Sequence, residues 1–371
     1  MKDAVEFNGK LVTHKFMGDN DIIMDAWGRQ KVIHDFSLFS SIFTYDIPDY
    51  MWKYAGCYSE NNALVLPMNS SISSRQHMKY QPNRGQLFST AGFLPIADGI
   101  IRFGLFTEEN GCFFEVVNGE MFSVIRSFHN NTVIEDRKQI TLPEGFDITK
   151  GHNYDIQFQW RGVGSYRFMI DLDEVISYVY TNTLTRLTIS NPNLPVSFTN
   201  TSLDINCKAS FGSVDVSTEG GKNPRLMYDS VINPVDKIVS NVGAPVLALR
   251  MKSTFKGQLN TIDYKILKGI FTTDKKTDFA VYFTEDLTAL TGAVWVDDTE
   301  KAHLVDYSAT TLTPSKCRLL SYRSYSVGGS YSIEGYLNMV EQNLSKGEIL
   351  IIWAMGASAN VRGSFDIGVE L

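Results

Sequence analysis

The sequence predicts an all-β protein, and three observations carry that reading. Apolar residues recur at every second position over short stretches, Asn-Gly and other Gly-containing turn signals separate those stretches, and no 3.6-residue periodicity is sustained along the 371 residues. Aromatic residues make up 12% of the chain. Together with abundant Val, Thr, Ser, Asn and Gly they favour pleated, half-buried strands over helices. The length is sufficient for two or three domains.

The elements follow in order. Residues 1–50 carry only short apolar groups, IIMDAWG and FSLFSSIF, and are expected to form an irregular N-terminal arm. Residues 51–215 are dense in strand and turn signals and are expected to form the first sandwich. Within them, GIIRFGLFTEENGCFFEVVNGEMFSVIRS (99–127) holds Asn110-Gly111 and Asn118-Gly119. Each pair suits a two-residue hairpin turn, whose central positions need positive φ. Three antiparallel strands result, and alternation assigns their faces. Phe103, Leu105, Cys112, Phe114, Val116, Met121 and Ile125 fall on a core face. Arg102, Phe106, Glu108, Phe113, Glu115, Glu120, Phe122 and Arg126 fall on the other, which mixes charge with rings as a partly covered surface does.

The stretch QFQWRGVGSYRFMID (157–171) behaves the same way. Tyr154, Ile156, Phe158 and Trp160 share one parity, and a loop at Gly162–Gly164 pairs Trp160 with Tyr166, keeping Tyr166, Phe168 and Ile170 on that face. The aromatic cluster is therefore expected inside a sandwich. Residues 216–244 are polar and rich in Gly, Asn and Pro, and read as a linker. From 245 to 371 strand patterns resume as a second, smaller β-sandwich, in which ILIIWAM (349–355) reads as a strand buried on both faces.

Charge and cysteine content narrow the function classes. The net charge is −7 with no long basic run, which argues against a nucleic-acid partner. No apolar run is long enough to span a bilayer, and MKDAVEFNGK lacks the apolar core of a signal peptide. No membrane partner is expected. Cys57, Cys112, Cys207 and Cys317 are widely spaced, without a CxxC pair, and read as free thiols of a chain folded in a reducing cytoplasm.

The tests for catalysis and cofactors come out negative at this level. Glu108 and Glu109 are adjacent and point to opposite faces, so they do not converge as a glycosidase pair. His303 points away from the side of its strand that carries Asp306 and Ser308, and no GxSxG elbow accompanies them. The acidic clusters DLDE (171–174) and DDTE (297–300) lack the spacing of a full calcium loop. No cofactor is expected, with a structural Ca2+ as the lesser alternative, and the chain reads as not an enzyme. The most suggestive polar stretch is SSRQHMKYQPNRGQLFST (73–90), where Arg75, Lys79 and Arg84 interleave with His77, Tyr80 and Phe88. It suits contact with a sugar, a nucleic acid or a neighbouring subunit. The plainer reading pairs its cations with the protein's own acids.

One segment, DAWGRQKVIHDFSLFSS (25–41), resembles a recurring segment of tailed-bacteriophage virion proteins of the form D-A-F-G-R-x-R-V-S-x-P-x-T-L-F-D-S. Asp25, Ala26, Gly28, Arg29, Val32, Leu38, Phe39 and Ser41 match, Trp27 and Lys31 are close replacements, and the family's Pro is absent. KYQPNRGQLFSTAG (79–92), RFGLFTEENGCFFEV (102–116), YDIQFQWRGVGSY (154–166), LTGAVWV (290–296), VDYSATTL (305–312), VGGSYSI (327–333) and SANVRGSFDIGVE (358–370) are similar to further family segments, in order. The resemblance implies a virion component assembled in the host cytoplasm: a capsid-surface decoration or head-fibre protein, or a tail protein, with other virion proteins as partners. By analogy with phage fibres it implies a homotrimer, which would cover exposed strand edges. The first sandwich is expected to be jelly-roll-like, similar to concanavalin-type lectin domains. Asp25, Trp27, Arg29 and Phe39 become candidate docking residues, and Arg75, Lys79, Arg84, Phe106, Glu115 and Phe122 a candidate contact surface. The expected function is a non-catalytic structural one, with a host-glycan-binding module of a fibre or tail as the alternative.

Overall fold

A computed structural model describes residues 4–7, 10–13, 23–24, 30–31, 35–82, 84–142, 145–160, 165–171, 173–179, 188–219, 226–333 and 343–370. The chain is all-β, as expected, with two short 3-10 turns as the only helical elements among the described residues.

The first sandwich packs an eight-stranded sheet on a seven-stranded one, with antiparallel pairing throughout among the described residues. The larger sheet runs Asp173–Val179, Ser165–Ile170, His152–Gln159, Gln86–Phe93, Ala209–Glu219, Ala63–Leu66, Tyr58–Glu60, with Asp35–Ile42 as the eighth strand, also paired to Ala209–Glu219. The smaller runs Thr132–Gln139, Glu120–His129, Gly111–Val117, Ile100–Phe106, Leu194–Asn200, Ser70–Met78, Trp52–Ala55. Neighbours far apart in sequence make this a jelly-roll-like β-sandwich.

Rings from the two inner faces form the core. Phe114 meets Phe168 edge-on at 5.1 Å, and Phe103 meets Tyr154 at 5.1 Å. All seven residues assigned to the core face of 99–127 belong to this cluster. Phe158, Tyr166 and Phe168 are fully buried in it, and Trp160 packs at its margin with its indole N–H donating to Ile189 O at 2.6 Å. The expected interior cluster is therefore present, with a corrected register: Phe158, not Trp160, stands opposite Tyr166. A shift by two residues keeps every side chain on its face, so the inside-outside assignment survives.

Two boundaries differ from expectation. Asp35–Ile42 lies within the expected arm, yet it pairs with Ala209–Glu219, and Phe39, Phe43 and Ile47 join the core. Trp52 anchors the segment. Its ring sits 5.1 Å from Phe39 and its Nε1 donates to Ser41 Oγ at 3.0 Å. FSLFSSIF thus reads as irregular in sequence but satisfies its alternate apolar positions against a strand over 170 residues away. The expected linker also holds two strands, Leu226–Ile232 and Lys237–Val239, both paired with Ala359–Glu370. Val231 and Val239 are buried there, apolar alternation within a stretch whose Gly, Asn and Pro mask it.

The second sandwich faces two six-stranded sheets. One runs Leu226–Ile232, Ala359–Glu370, Asp263–Thr273, Gly329–Ile333, with Lys237–Val239 also paired to Ala359–Glu370 and Asn343–Leu344 to Asp263–Thr273, and the other runs Val296–Asp297, His303–Asp306, Ala244–Met251, Ile349–Met355, Thr277–Thr284, Arg318–Tyr325. Ile349–Met355 occupies a central position, covered on both faces as its unbroken apolar run predicts.

Candidate functional site

The cations of 73–90 face the protein's own second sandwich. Arg75, His77 and Lys79 recur at every second residue, so they leave the strand on one side. Arg75 Nη1 donates to Glu348 Oε1 at 2.7 Å and also pairs with Glu285. Lys53 lies 3.4 Å from Glu348, which is itself fully buried. Lys79 Nζ lies 3.3 Å from Asp263 and donates to Thr261 O, while the His77 N–H donates to Asp263 Oδ2 at 3.2 Å. Ser345 Oγ bridges the two groups, lying 2.7 Å from Arg75 O and 3.1 Å from Asp263 Oδ1. Arg318 to Asp49 at 3.6 Å runs the other way.

Burial opposes the charge of Asp263, but Lys79 and His77 beside it more than offset that, and its pKa is brought down to about 2. Arg75 is likewise opposed by burial and raised by Glu285 and Glu348. This arrangement is a latch between the sandwiches, the plainer of the two readings of 73–90. Arg84 is half-buried beyond it, its N–H donating to Gln81 O at 3.1 Å. Sequence reasoning did not find Asp263, Glu348 and Glu285. The available signal was the stripe itself, since Arg75 and Lys79 leaving the chain on one side imply facing acids.

The second candidate surface is the outer face of the seven-stranded sheet. Arg102 Nε donates to Glu115 Oε2 at 2.7 Å and Arg137 Nε to Oε1 at 2.6 Å, so both carboxylate oxygens are held. Arg137 stacks over Phe122 at 3.3 Å, and Arg126 lies 4.8 Å from the Phe113 centroid while pairing with Glu135 at 2.7 Å. Phe106, Phe113 and Val124 form a small cluster beneath these arginines. The expected mixed face is there, but it is more closed than expected. Phe106 is 6% exposed and Phe113 0%, so their ring faces are not open for stacking. The face is a cross-strand tie of charge laid over rings.

The remaining candidates do not converge with these. Phe39 is a core residue, because its place on a paired strand turns it inward. Asp25, Trp27 and Arg29 lie outside the described residues. Asp306 Oδ1 accepts from Ser308 Oγ at 2.6 Å, whereas His303 meets Tyr264, so His303, Asp306 and Ser308 do not assemble. All four cysteines are unpaired, and among the described residues no group of three His, Cys, Asp or Glu side chains is placed to hold a metal ion.

No protein-family profile and no curated protein matches the chain. Solved structures do. A glycosyl hydrolase family protein from Mycobacterium fortuitum is 11% identical, with a TM-score of 0.39 over 48% of this chain and 99% of that one. An endo-β-1,3-glucanase from Pyrococcus furiosus is 11% identical, with a TM-score of 0.40 over 55% of this chain and 100% of that one. β-Agarase A from Zobellia galactanivorans is 12% identical, with a TM-score of 0.39 over 50% of this chain and 92% of that one. These neighbours correct the expectation that the chain is not an enzyme: the structures it is similar to are glycoside hydrolases, and that expectation is withdrawn. At these identities and scores the likeness carries no activity across to this chain.

Proposed function

We propose that this protein is a structural component of a tailed-phage virion, a capsid-surface decoration or head-fibre protein that works through subunit assembly. The observation that carries the reading is the ordered run of phage-like segments, several of which fall on framework strands of the two sandwiches. RFGLFTEENGCFFEV covers most of the Ile100–Phe106 and Gly111–Val117 hairpin, and SANVRGSFDIGVE covers all of Ala359–Glu370. The buried latch supports it by joining the sandwiches into a unit suited to bearing load. Open strand edges at Trp52–Ala55 and Arg318–Tyr325 are consistent with a homotrimer that covers them.

Peptide mass spectrometry of purified particles tests the reading. The chain is expected at a fixed copy number in multiples of the subunit count. Its absence from particles, with the full pool left in the lysate, would count against it.

A second reading, a host-glycan-binding module, draws on one specific feature. Tyr45, Tyr50, Tyr54 and Tyr58 are all exposed within a short span that includes the edge strands of both sheets of the first sandwich. Specific signals on a bacterial glycan array, lost on replacing these tyrosines with alanine, would favour this reading.

A further inference from the structure

Three loops meet at the end of the first sandwich away from the second. The strand Ser70–Met78 gives the direction: Ser70 pairs with Asn200 beside these loops, while Arg75 and Lys79 enter the latch. Five residues of strand, about 17 Å, separate Ser70 from Arg75, and Lys79 lies further on, so the loops and the latch are well apart along the strand.

The loops are tied together by polar contacts. Ser202 Oγ donates to Asp98 O, and the Asn69 N–H donates to Ser202 O at 3.1 Å. Asn200 Nδ2 donates to Leu66 O at 3.1 Å and Cys207 O at 2.6 Å, and its Oδ1 accepts from the Ser202 N–H at 3.0 Å. The Asn118–Gly119 turn joins them, with the Asn118 N–H donating to Gly99 O at 3.2 Å and the Gly99 N–H to Asn118 Oδ1 at 3.0 Å. Asn200 and Ser202 are buried, so this wiring is internal.

What the wiring displays is aliphatic. Leu203 is 88% exposed, Ile205 76% and Ile96 68%. Single exposed apolar residues are ordinary. Here three large ones sit on adjoining loops whose conformation is set by buried hydrogen bonds and not by burial of the side chains themselves. Display on a fixed backbone lowers the ordering penalty of a later contact. The surrounding charge is acidic, from Asp98, Asp204 and Glu120, while the nearby Lys208 is engaged by Glu60 at 3.2 Å. An acidic rim opposes approach to an anionic lipid surface and favours a cationic one.

We infer that this tip is a docking surface for another protein, one offering an apolar pocket rimmed by Lys or Arg. The inference rests on the virion reading, in which that partner is a neighbouring protein of the particle. The test places the photoreactive residue benzoyl-phenylalanine at position 203 of the full chain in infected cells, and compares it with the double variant Leu203→Asp, Ile205→Asp. Both side chains are exposed, so the variant is expected to keep the wild-type melting temperature. The expected result is a cross-link from position 203 to one virion protein and an at least ten-fold drop in particle-bound copies of the variant. Normal incorporation of the variant with no adduct would overturn the tip proposal and leave the virion reading standing. Absence of the wild-type chain from particles would overturn both. Flotation of the wild-type chain, but not the variant, with phosphatidylcholine–phosphatidylglycerol vesicles would assign the tip to a membrane and also overturn the proposal.

Discussion

His303 lies buried on the strand His303–Asp306, with Nδ1 2.8 Å from the Tyr264 hydroxyl. Burial disfavours its charged form and pulls its pKa down to about 4 from an ordinary 6.5. The unfolded chain therefore takes up the proton first. The stabilisation from a neutral His303 is complete above about pH 6.5 and is lost as pH falls to about 4, a change of about 3 kcal/mol. Urea unfolding from pH 7 to pH 4 is expected to show this loss, and His303→Gln to flatten it. An unchanged slope in that variant would remove His303 as the cause. Asp263 acts lower on the scale. Its depressed pKa gives stability that is present above about pH 4 and lost as pH falls through about 2. Strand alternation in the sequence already separates His303 from Asp306 and Ser308. It does not indicate Tyr264, which comes from another sheet of the sandwich.

Hairpins show where local chemistry suffices and where it does not. Asn118-Gly119 forms the expected two-residue turn, with φ of 54° and 86° and Val117 opposite Glu120. Asn110-Gly111 does not. Phe106 pairs with Gly111, leaving a four-residue loop in which Thr107 Oγ1 accepts from the Asn110 N–H at 3.0 Å. Asn110 is used elsewhere: its Oδ1 accepts from the Ser190 N–H at 2.9 Å and Ser190 Oγ at 2.7 Å. The same dipeptide thus serves a turn in one place and a long-range tie in the other. Gly104, on the strand before this loop, has φ of +150°, and a Cβ there would come within 2.7 Å of Cys112 O and 2.8 Å of Phe113 Cα. Gly104→Ala is expected to destabilise the protein by about 2 kcal/mol or more. Chemical denaturation measures this, and a change below about 0.5 kcal/mol would show that the sheet yields without strain.

Across the whole molecule, the latch decides whether two sandwiches behave as one body. Asp263 and Glu348 are fully buried against cations of the other sandwich. Removing one member of such a pair strands its partner, at about 3–5 kcal/mol. Wild-type protein is expected to melt in a single calorimetric transition. Lys79→Ala with Arg75→Ala is expected to split it in two, since each sandwich keeps its own core. A single transition of undiminished enthalpy in the double variant would show that the latch does not couple the sandwiches. The candidate contact surface was legible in part. Alternation placed Phe106, Glu115 and Phe122 on one outer face correctly. It placed Arg102 there too, but carried no information that Arg137, from Thr132–Gln139, would join Arg102 in closing over Glu115.

The sequence by itself determined the β class, the inward faces of the strands in 99–127 and 154–170 and the interior position of the 157–171 rings. These follow from a side-chain period of two, which is a local property of extended chain. Only the tertiary structure decided that Asp35–Ile42 is a strand joined to the core, and that Arg75 and Lys79 meet acids 273 and 184 residues away. Strand pairing and charge complementarity join positions distant along the chain, and a local pattern shows that a partner is needed without saying which one.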